Sequence, residues 1–212
     1  MSVAFYEASK RVADIVGAAT VLLVSLPVWI WAFLAISLTD GWPFLYAQRR
    51  VGQGGRLFWI YKFRSMIKDA ERNGIPAYSP RGDPRVTRVG RLMRKTALDE
   101  IPQLLSILRG DMSWVGPRPA RPQEVAQYIL EIPGYGLRHR VRPGLTGYAQ
   151  VYLSDYSDIS KKLAYDSYYI QHRGLWMDLT LYVRSWANTL LGRWERARQV
   201  ALSEEHSASS RR

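Results

Sequence analysis

The chain has 212 residues, enough for one compact domain with an appendage, and its 30 Lys and Arg against 18 Asp and Glu give a formal net charge of +12. A surplus of that size calls for an anionic partner, whether nucleic acid, an acidic membrane surface or a phosphorylated ligand. Cysteine is absent, which excludes disulfides and thiolate metal sites. The 8 Trp and 13 Tyr supply many rings of the kind favoured both in cores and at a membrane–water boundary.

Between Ile15 and Leu38 the chain carries no charge, and only Thr20, Ser25 and Ser37 are polar. As one helix this run would be about 36 Å long, enough to cross a hydrocarbon layer of about 30 Å. That length, and Trp42-Pro43 where a signal peptide would place small residues, argue against a secretory signal. Pro27 divides the run into halves of roughly 18 Å, each too short to cross alone. A mid-helix proline forfeits one backbone hydrogen bond and kinks the helix, and the Ser25 hydroxyl is placed to satisfy a freed backbone group. Lys10 and Arg11 before the run, with Arg49, Arg50 and Arg56 after it, give both ends a cytoplasm-preferring basic flank. Two arrangements stand on these residues: a plain transmembrane helix with a tolerated proline, and a hairpin-like segment that returns to its own side. A buried core helix fits the length less well.

Residues 44–66 read as two short strands around a turn at Gly52–Gly55, the second alternating aromatic and basic residues. Residues 67–84 carry Gly74, Pro76, Pro80, Gly82 and Pro84 and read as a loop. The pattern from Arg85 to Arg109 predicts a helix with Leu98, Ile101, Leu104, Leu105 and Leu108 on one stripe and Gly110 as its stop. A turn-rich stretch at 110–122 follows, then a short helix near 123–132 and a structured loop over 133–150. A helix at Ile159–His172 and an aromatic amphipathic one at Leu175–Leu191 complete the series. Residues 193–212, charged and Ser-rich, read as a disordered tail. The fold class is α+β, mainly helical, with the apolar segment in 1–43 and a single folded body over 44–192.

Three constellations have chemical content. The densest cationic run is Arg81, Arg85, Arg88, Arg91, Arg94 and Lys95, opposed only by Asp83. A spacing of three sweeps about half a turn along a helix, which suits phosphates or anionic headgroups better than a single face for reading nucleic acid. Asp99 and Glu100 follow in TALDEIPQLL. Pro102 fits a first helical turn and so places Asp99 near an N-cap. One reading is structural, an Asp cap or a Thr96–Asp99 capping box. The other is chemical: a carboxylate at a helix N-terminus stays ionised, and two consecutive acids diverge by about 100°, so one can attack phosphorus while the other helps hold a divalent cation. Third, Arg118 stands between two prolines in GPRP, and Arg138, Arg140 and Arg142 precede a Pro-Gly turn. His139, His172 and His206 have no partner at ligand spacing, and Asp166 reads by default as a surface acid.

Taken together, KFRSM (62–66), DPRVTRVGRLMRKTALDEIPQLLSILRGDMSWVGPRP (83–119) and RPGLTGYAQV (142–151) resemble the bacterial sugar transferase family, the monotopic phosphoglycosyl transferases, over about Lys10 to Leu191. The resemblance implies transfer of a sugar 1-phosphate from a UDP-sugar to undecaprenyl (polyprenol) phosphate, releasing UMP, with magnesium (Mg²⁺). It implies Asp99 as a nucleophile forming a covalent phosphosugar intermediate and Glu100 as the second acid near the metal, with both as the metal-site candidates. Lys62, Arg94, Arg118 and Asp166 match further functional positions. Arg64 in KFRSM and Arg142 before the Pro-Gly turn join them as phosphate-binding candidates. The family's anchor is a re-entrant helix broken at a serine and proline, here Ser25 and Pro27, in the bacterial inner membrane with the catalytic domain and its amphipathic interfacial helices on the cytoplasmic face. Partners are then the UDP-sugar, the polyprenol phosphate lipid and inner-membrane lipids, with no nucleic acid; homodimerisation is left open. Two departures stand out. Ser25-Leu26-Pro27 separates serine from proline, and Tyr152-Leu153-Ser154-Asp155 replaces an Asn-Gly-Arg run, so sugar specificity does not carry over. A rival of another class is a non-catalytic, membrane-bound basic adaptor or nucleic-acid-binding protein.

Overall fold

In a computed structural model of the chain, the described residues are 2–70, 82–153 and 158–191. The middle of the expected 67–84 loop, Ser154-Asp155 and the expected tail lie outside them. The architecture is α+β and mainly helical, as the sequence indicates. Helix α1 (Val3–Val24) runs into α2 (Leu26–Thr39) across a bend of 57° at Ser25. Neither helix alone is long and apolar enough to cross a membrane, whereas the bent pair together is. Pro27 sits in the first turn of α2, where its missing N–H costs nothing, and the Ser25 hydroxyl donates to the Leu22 carbonyl at 3.0 Å.

The start of α1 is tied into the body of the protein. Lys10 and Tyr6 both donate to Asp178 Oδ2, at 2.8 and 2.9 Å, and the Tyr169 hydroxyl donates to Oδ1 at 2.7 Å. Asp14 accepts from the Trp114 N–H at 3.0 Å and the Ser113 hydroxyl at 3.1 Å. Arg11 caps the carbonyls of Ile107 and Leu108 at a helix C-terminus, where a cation complements the helix dipole. Lys10 and Arg11 are therefore internal struts rather than free flanking charges, and the basic-flank argument loses both.

Strands β1 (Leu45–Val51) and β2 (Leu57–Phe63) form the expected antiparallel hairpin, with Leu45 opposite Phe63 and Val51 opposite Leu57. Phe58, Ile60 and Phe63 of β2 point inward. The predicted 85–109 helix is in fact three pieces: α3 (Arg88–Thr96), a 3₁₀ segment (Leu98–Gln103) and α4 (Leu104–Arg109). The break is at Ala97, a non-glycine residue at φ 56°. Its left-handed backbone turns the chain so that the apolar stripe can wrap β2 on two sides. Thr87 caps α3 by accepting from the Gly90 N–H at 3.0 Å. Gly90 itself lies flat on the end of β2, where a Cβ would fall 2.0 Å from the Ser65 carbonyl oxygen. Gly90→Ala must push α3 off the hairpin, and is expected to lower stability by about 3 kcal/mol in a detergent-solubilised thermal melt.

Beyond α4 come β3 (Ser113–Val115), α5 (Pro122–Glu131), β4 (Gly144–Thr146), α6 (Tyr148–Tyr152), α7 (Ile159–His172) and α8 (Leu175–Leu190). The β3–β4 pairing is parallel, Ser113 to Gly144 and Val115 to Thr146, inside what the sequence presents as loop. It forms because Gly116, Gly144 and Gly147 let three backbones meet: a Cβ on Gly144 would sit 2.1 Å from the Gly116 nitrogen. Two cores flank the hairpin. One joins Ala18 of α1 to Phe58, Ile60, Leu104 and Ile107; the other joins Ala32 and Ile36 of α2 to Phe63 and Met93.

Candidate active site

The hairpin, the 3₁₀ segment and the Gly116–Ala120 turn converge on Glu100. Its Oε1 accepts from Lys62 Nζ of β2 at 2.7 Å and from an Arg118 guanidinium nitrogen at 2.5 Å. Among the described residues its Oε2 receives only a long contact from Arg118, 3.4 Å. Burial by itself would raise the Glu100 carboxyl, but Arg118 and Lys62 outweigh it and hold the group far below the usual carboxylate range.

Asp99 differs in every respect. It is 7% exposed, and among the described residues its carboxylate accepts no hydrogen bond. Burial pushes its carboxyl above the ordinary 3.8 and the Glu100 charge adds to this, while Lys62, Arg94 and Arg118 oppose. The structure corrects the sequence argument at two points. Asp99 lies in the first turn, near the N-cap as the sequence places it, but Ala97 is the cap itself, so the reading of an Asp cap falls; and burial pushes the Asp99 carboxyl up rather than leaving it at its ordinary value. The capping-box alternative also falls, because the Thr96 hydroxyl donates backward to the Leu92 and Met93 carbonyls. Adjacent residues of a 3₁₀ turn point about 120° apart. Glu100 is thereby clamped between two cations, and Asp99 faces the same cationic field with its oxygens uncommitted.

Arg118 is held by its own backbone. From Pro117 to Ala120 every carbonyl has a donor: Gly144 N at 3.0 Å on Pro117, Arg138 at 2.9 Å on Arg118, Arg50 at 3.2 Å on Pro119 and Val51 N at 3.0 Å on Ala120. The two prolines add their own stiffness, so a flexible side chain is launched from a fixed base. Arg138 is buried with Asp166, their side chains 3% and 2% exposed and 2.7 Å apart, and it also donates to the Tyr135 hydroxyl at 2.6 Å.

The sequence-derived candidates thus separate. Lys62, Asp99, Glu100 and Arg118 come together, and Arg94 at the end of α3 acts on Asp99 through its charge. Asp166 is a buried acid behind Arg118, not a surface one. Arg64 is placed elsewhere: its guanidinium donates to the carbonyls of Asp40 (2.7 Å), Gly41 (2.5 Å) and Pro43, closing the end of α2. Arg142 is half-buried, and no described residue pairs with its side chain. Sequence reasoning missed Arg138 and Arg50 as supports of the Arg118 turn. Arg138 stood inside a basic run, where no local signal separates a buried arginine from solvated neighbours.

Among the described residues no group of three or more His, Asp or Glu forms a preformed metal site. Magnesium is commonly held through one or two carboxylates together with substrate phosphates. Glu100 Oε2 and the uncommitted Asp99 oxygens fit that mode of binding.

The chain matches the family model described as Bacterial sugar transferase over residues 5–192. It is 41% identical over 190 residues to the UDP-N-acetylgalactosamine-undecaprenyl-phosphate N-acetylgalactosaminephosphotransferase of Aeromonas hydrophila, covering 88% of this chain and 45% of that protein. It is 43% identical over 181 residues to a UDP-glucose:undecaprenyl-phosphate glucose-1-phosphate transferase of Caulobacter vibrioides, covering 83% and 67% respectively. The protein of that description from Escherichia coli K12 is 39% identical over 177 residues, covering 81% and 38%. The chain therefore spans less than half the length of two of these relatives and about two thirds of the third.

Proposed function

This chain belongs to the bacterial sugar transferase family, and on that premise we propose that it transfers a sugar 1-phosphate from a UDP-sugar to undecaprenyl phosphate, releasing UMP. The observation that carries the reading is the contrast within one dyad: Glu100 is clamped by Lys62 and Arg118, while Asp99 is buried, uncommitted and surrounded by cations. A carboxylate stripped of hydrogen-bond donors is a better nucleophile than a solvated one.

In the first step an Asp99 carboxylate oxygen bonds to the sugar-proximal phosphorus. The bond from that phosphorus to the bridging oxygen breaks, and UMP leaves with the electron pair. In the second, an oxygen of the lipid phosphate bonds to the same phosphorus and the Asp99 carboxylate departs. Arg118 and Lys62 supply fixed positive charge beside the phosphoryl oxygens, and positioning of this kind provides most of the acceleration in phosphoryl transfer. Magnesium, when bound with the diphosphate, would neutralise charge there. Arg138 and Arg50 touch no reacting atom and act by holding the Arg118 turn.

The bent pair α1–α2 is read as a re-entrant anchor in the inner membrane, with the catalytic body on the cytoplasmic face. Support comes from its apex, where Leu23, Val24 and Leu26 are 68%, 75% and 56% exposed, a costly arrangement in water and a favourable one in lipid. On α8, Leu175, Trp176, Leu179, Val183 and Trp186 form a further exposed apolar stripe, suited to lie along the interface.

The test is a trapping experiment with UDP-sugars radiolabelled in the sugar. Without lipid acceptor, the wild-type protein should retain about one label per chain from each sugar it accepts and release UMP in equal amount. UMP release that requires the acceptor, with no label on the protein, would replace this reading by a direct transfer in which Asp99 serves only as a ligand.

A further inference from the structure

The basic run ahead of Asp99 divides once folded. Arg85 wraps the buried Asp83, with contacts of 2.7 to 3.2 Å, and donates to the Ala70 carbonyl, so it is structural. Arg94 is half-buried, and its charge acts on Asp99. Arg81 lies outside the described residues; Arg88, Arg91 and Lys95 are exposed, and none of these three is hydrogen-bonded or ion-paired through its side chain among the described residues. With Leu92, itself 51% exposed, they stand at positions i, i+3, i+4 and i+7 of α3, within about 100° of arc. The sequence argument that the run sweeps too widely for one face fails for this reason: the residues that break the stripe are withdrawn into other work. No acidic residue lies on α3 to neutralise it.

The opposite face of α3 fixes where this cationic stripe sits. Met93 and Val89 pack on Ala32 and Ile36 of α2. Those two residues precede the end of α2 at Thr39 by roughly 5 and 10 Å of helix. Whatever depth α2 reaches on leaving the bilayer, α3 is therefore held beside it at nearly the same level. Trp42, just past α2, is 63% exposed, as suits a ring at the membrane–water boundary.

We propose that the Arg88–Arg91–Lys95 face of α3, with Leu92 between the cations, is a docking surface for anionic phospholipid headgroups that sets the tilt of the catalytic body over the bilayer. It rests on the reading of α1–α2 as a membrane segment. The charge complement is direct: three cations unpaired among the described residues and one apolar contact match lipid phosphates over acyl chains, and each such cation strengthens attachment to an anionic surface. α3 also carries Arg94, whose charge bears on Asp99, so a tilt imposed at one face of this short helix reaches the reacting carboxylate.

The experiment compares wild type with the triple variant Arg88→Gln, Arg91→Gln, Lys95→Gln in nanodiscs of phosphatidylcholine alone and of phosphatidylcholine with about one third phosphatidylglycerol. Product formation is followed with UDP-sugar and undecaprenyl phosphate. Wild type should work about fivefold faster in the anionic discs, and the variant should show no such gain. In detergent, with no bilayer, both proteins should have the same kcat and the same KM for the UDP-sugar. Equal wild-type rates in the two discs, or a gain retained by the variant, would overturn the proposal. So would a raised KM for UDP-sugar in detergent, since the face would then be serving the nucleotide. Flotation with vesicles after an alkaline wash separates the premise: protein that washes off overturns the membrane reading and this inference together, whereas protein that stays but shows no anionic gain overturns the inference alone.

Discussion

Asp99→Asn is expected to release UMP at least about a thousandfold more slowly than the parent while folding normally. The substitution keeps shape and volume and removes only the negative oxygen that would bond to phosphorus. No hydrogen bond to the Asp99 carboxylate exists among the described residues, so none is broken. Removal of a nucleophile whose partners stay in place leaves only the binding and electrostatic part of catalysis, which is why a loss of this order follows. Activity within a few-fold of the parent would dismiss Asp99 as the attacking group.

Stability should move the other way, which separates a chemical role from a folding role. Burial raises the Asp99 carboxyl above 3.8, so the native fold binds a proton there more tightly than the unfolded chain does. The native state is therefore penalised by this charge once the pH exceeds the folded value, and the penalty vanishes below 3.8, where both states are protonated. Asparagine carries no such penalty. Thermal melts in detergent should find Asp99→Asn at least as stable as the parent at neutral pH, with the difference closing as the pH is lowered. On the proposed mechanism, a nucleophile kept buried and uncommitted at a cost to the fold would be the usual trade between stability and activity.

The strands, the last two helices and the acid pair were legible because they rest on local rules: a Gly-rich turn between aromatic runs, 3.6-residue periodicity, two carboxylates in sequence. What escaped was tertiary. The Ala97 break is invisible in sequence, since alanine favours continuing a helix and its Cβ disfavours positive φ. The β3–β4 pair has three residues a side and arises from glycine contacts among segments some 30 residues apart. Arg64 and Arg138 show the same limit for side chains. Each stood in a basic motif, Arg64 as a phosphate-binding candidate, and each is buried on carbonyl oxygens or an acid, because an arginine fork satisfies several scattered acceptors at once. Charge counts read from sequence therefore overstate the cations open to ligand.

That limit bears on Asp166, whose loss should be the most destabilising single change discussed. Asp166→Ala would leave Arg138 buried without its countercharge, and breaking a buried pair in this way costs about 3–5 kcal/mol. Lys162, one turn earlier on α7, is already pushed down to about 7 by burial and by the charge of Arg138, and losing the Asp166 charge, which opposes that shift, would push it lower still. For a chain of this length the melting temperature should fall by roughly 10 °C. A simple collapse of activity with stability would be uninformative, so the contrast lies in the double variant Arg138→Met, Asp166→Leu. Replacing a buried pair by apolar side chains of similar volume commonly restores stability. It would not restore the donor on the Arg118 carbonyl, 2.9 Å from Arg138 in the parent. The double variant should thus melt within a few degrees of the parent yet remain at least about tenfold less active, with the deficit in kcat, because a loosened Arg118 is misplaced for the transition state more than for binding. Recovery of both stability and activity would reduce Arg138 to a packing residue and leave the prolines, with the donors from Gly144, Arg50 and Val51, to hold the Gly116–Ala120 turn.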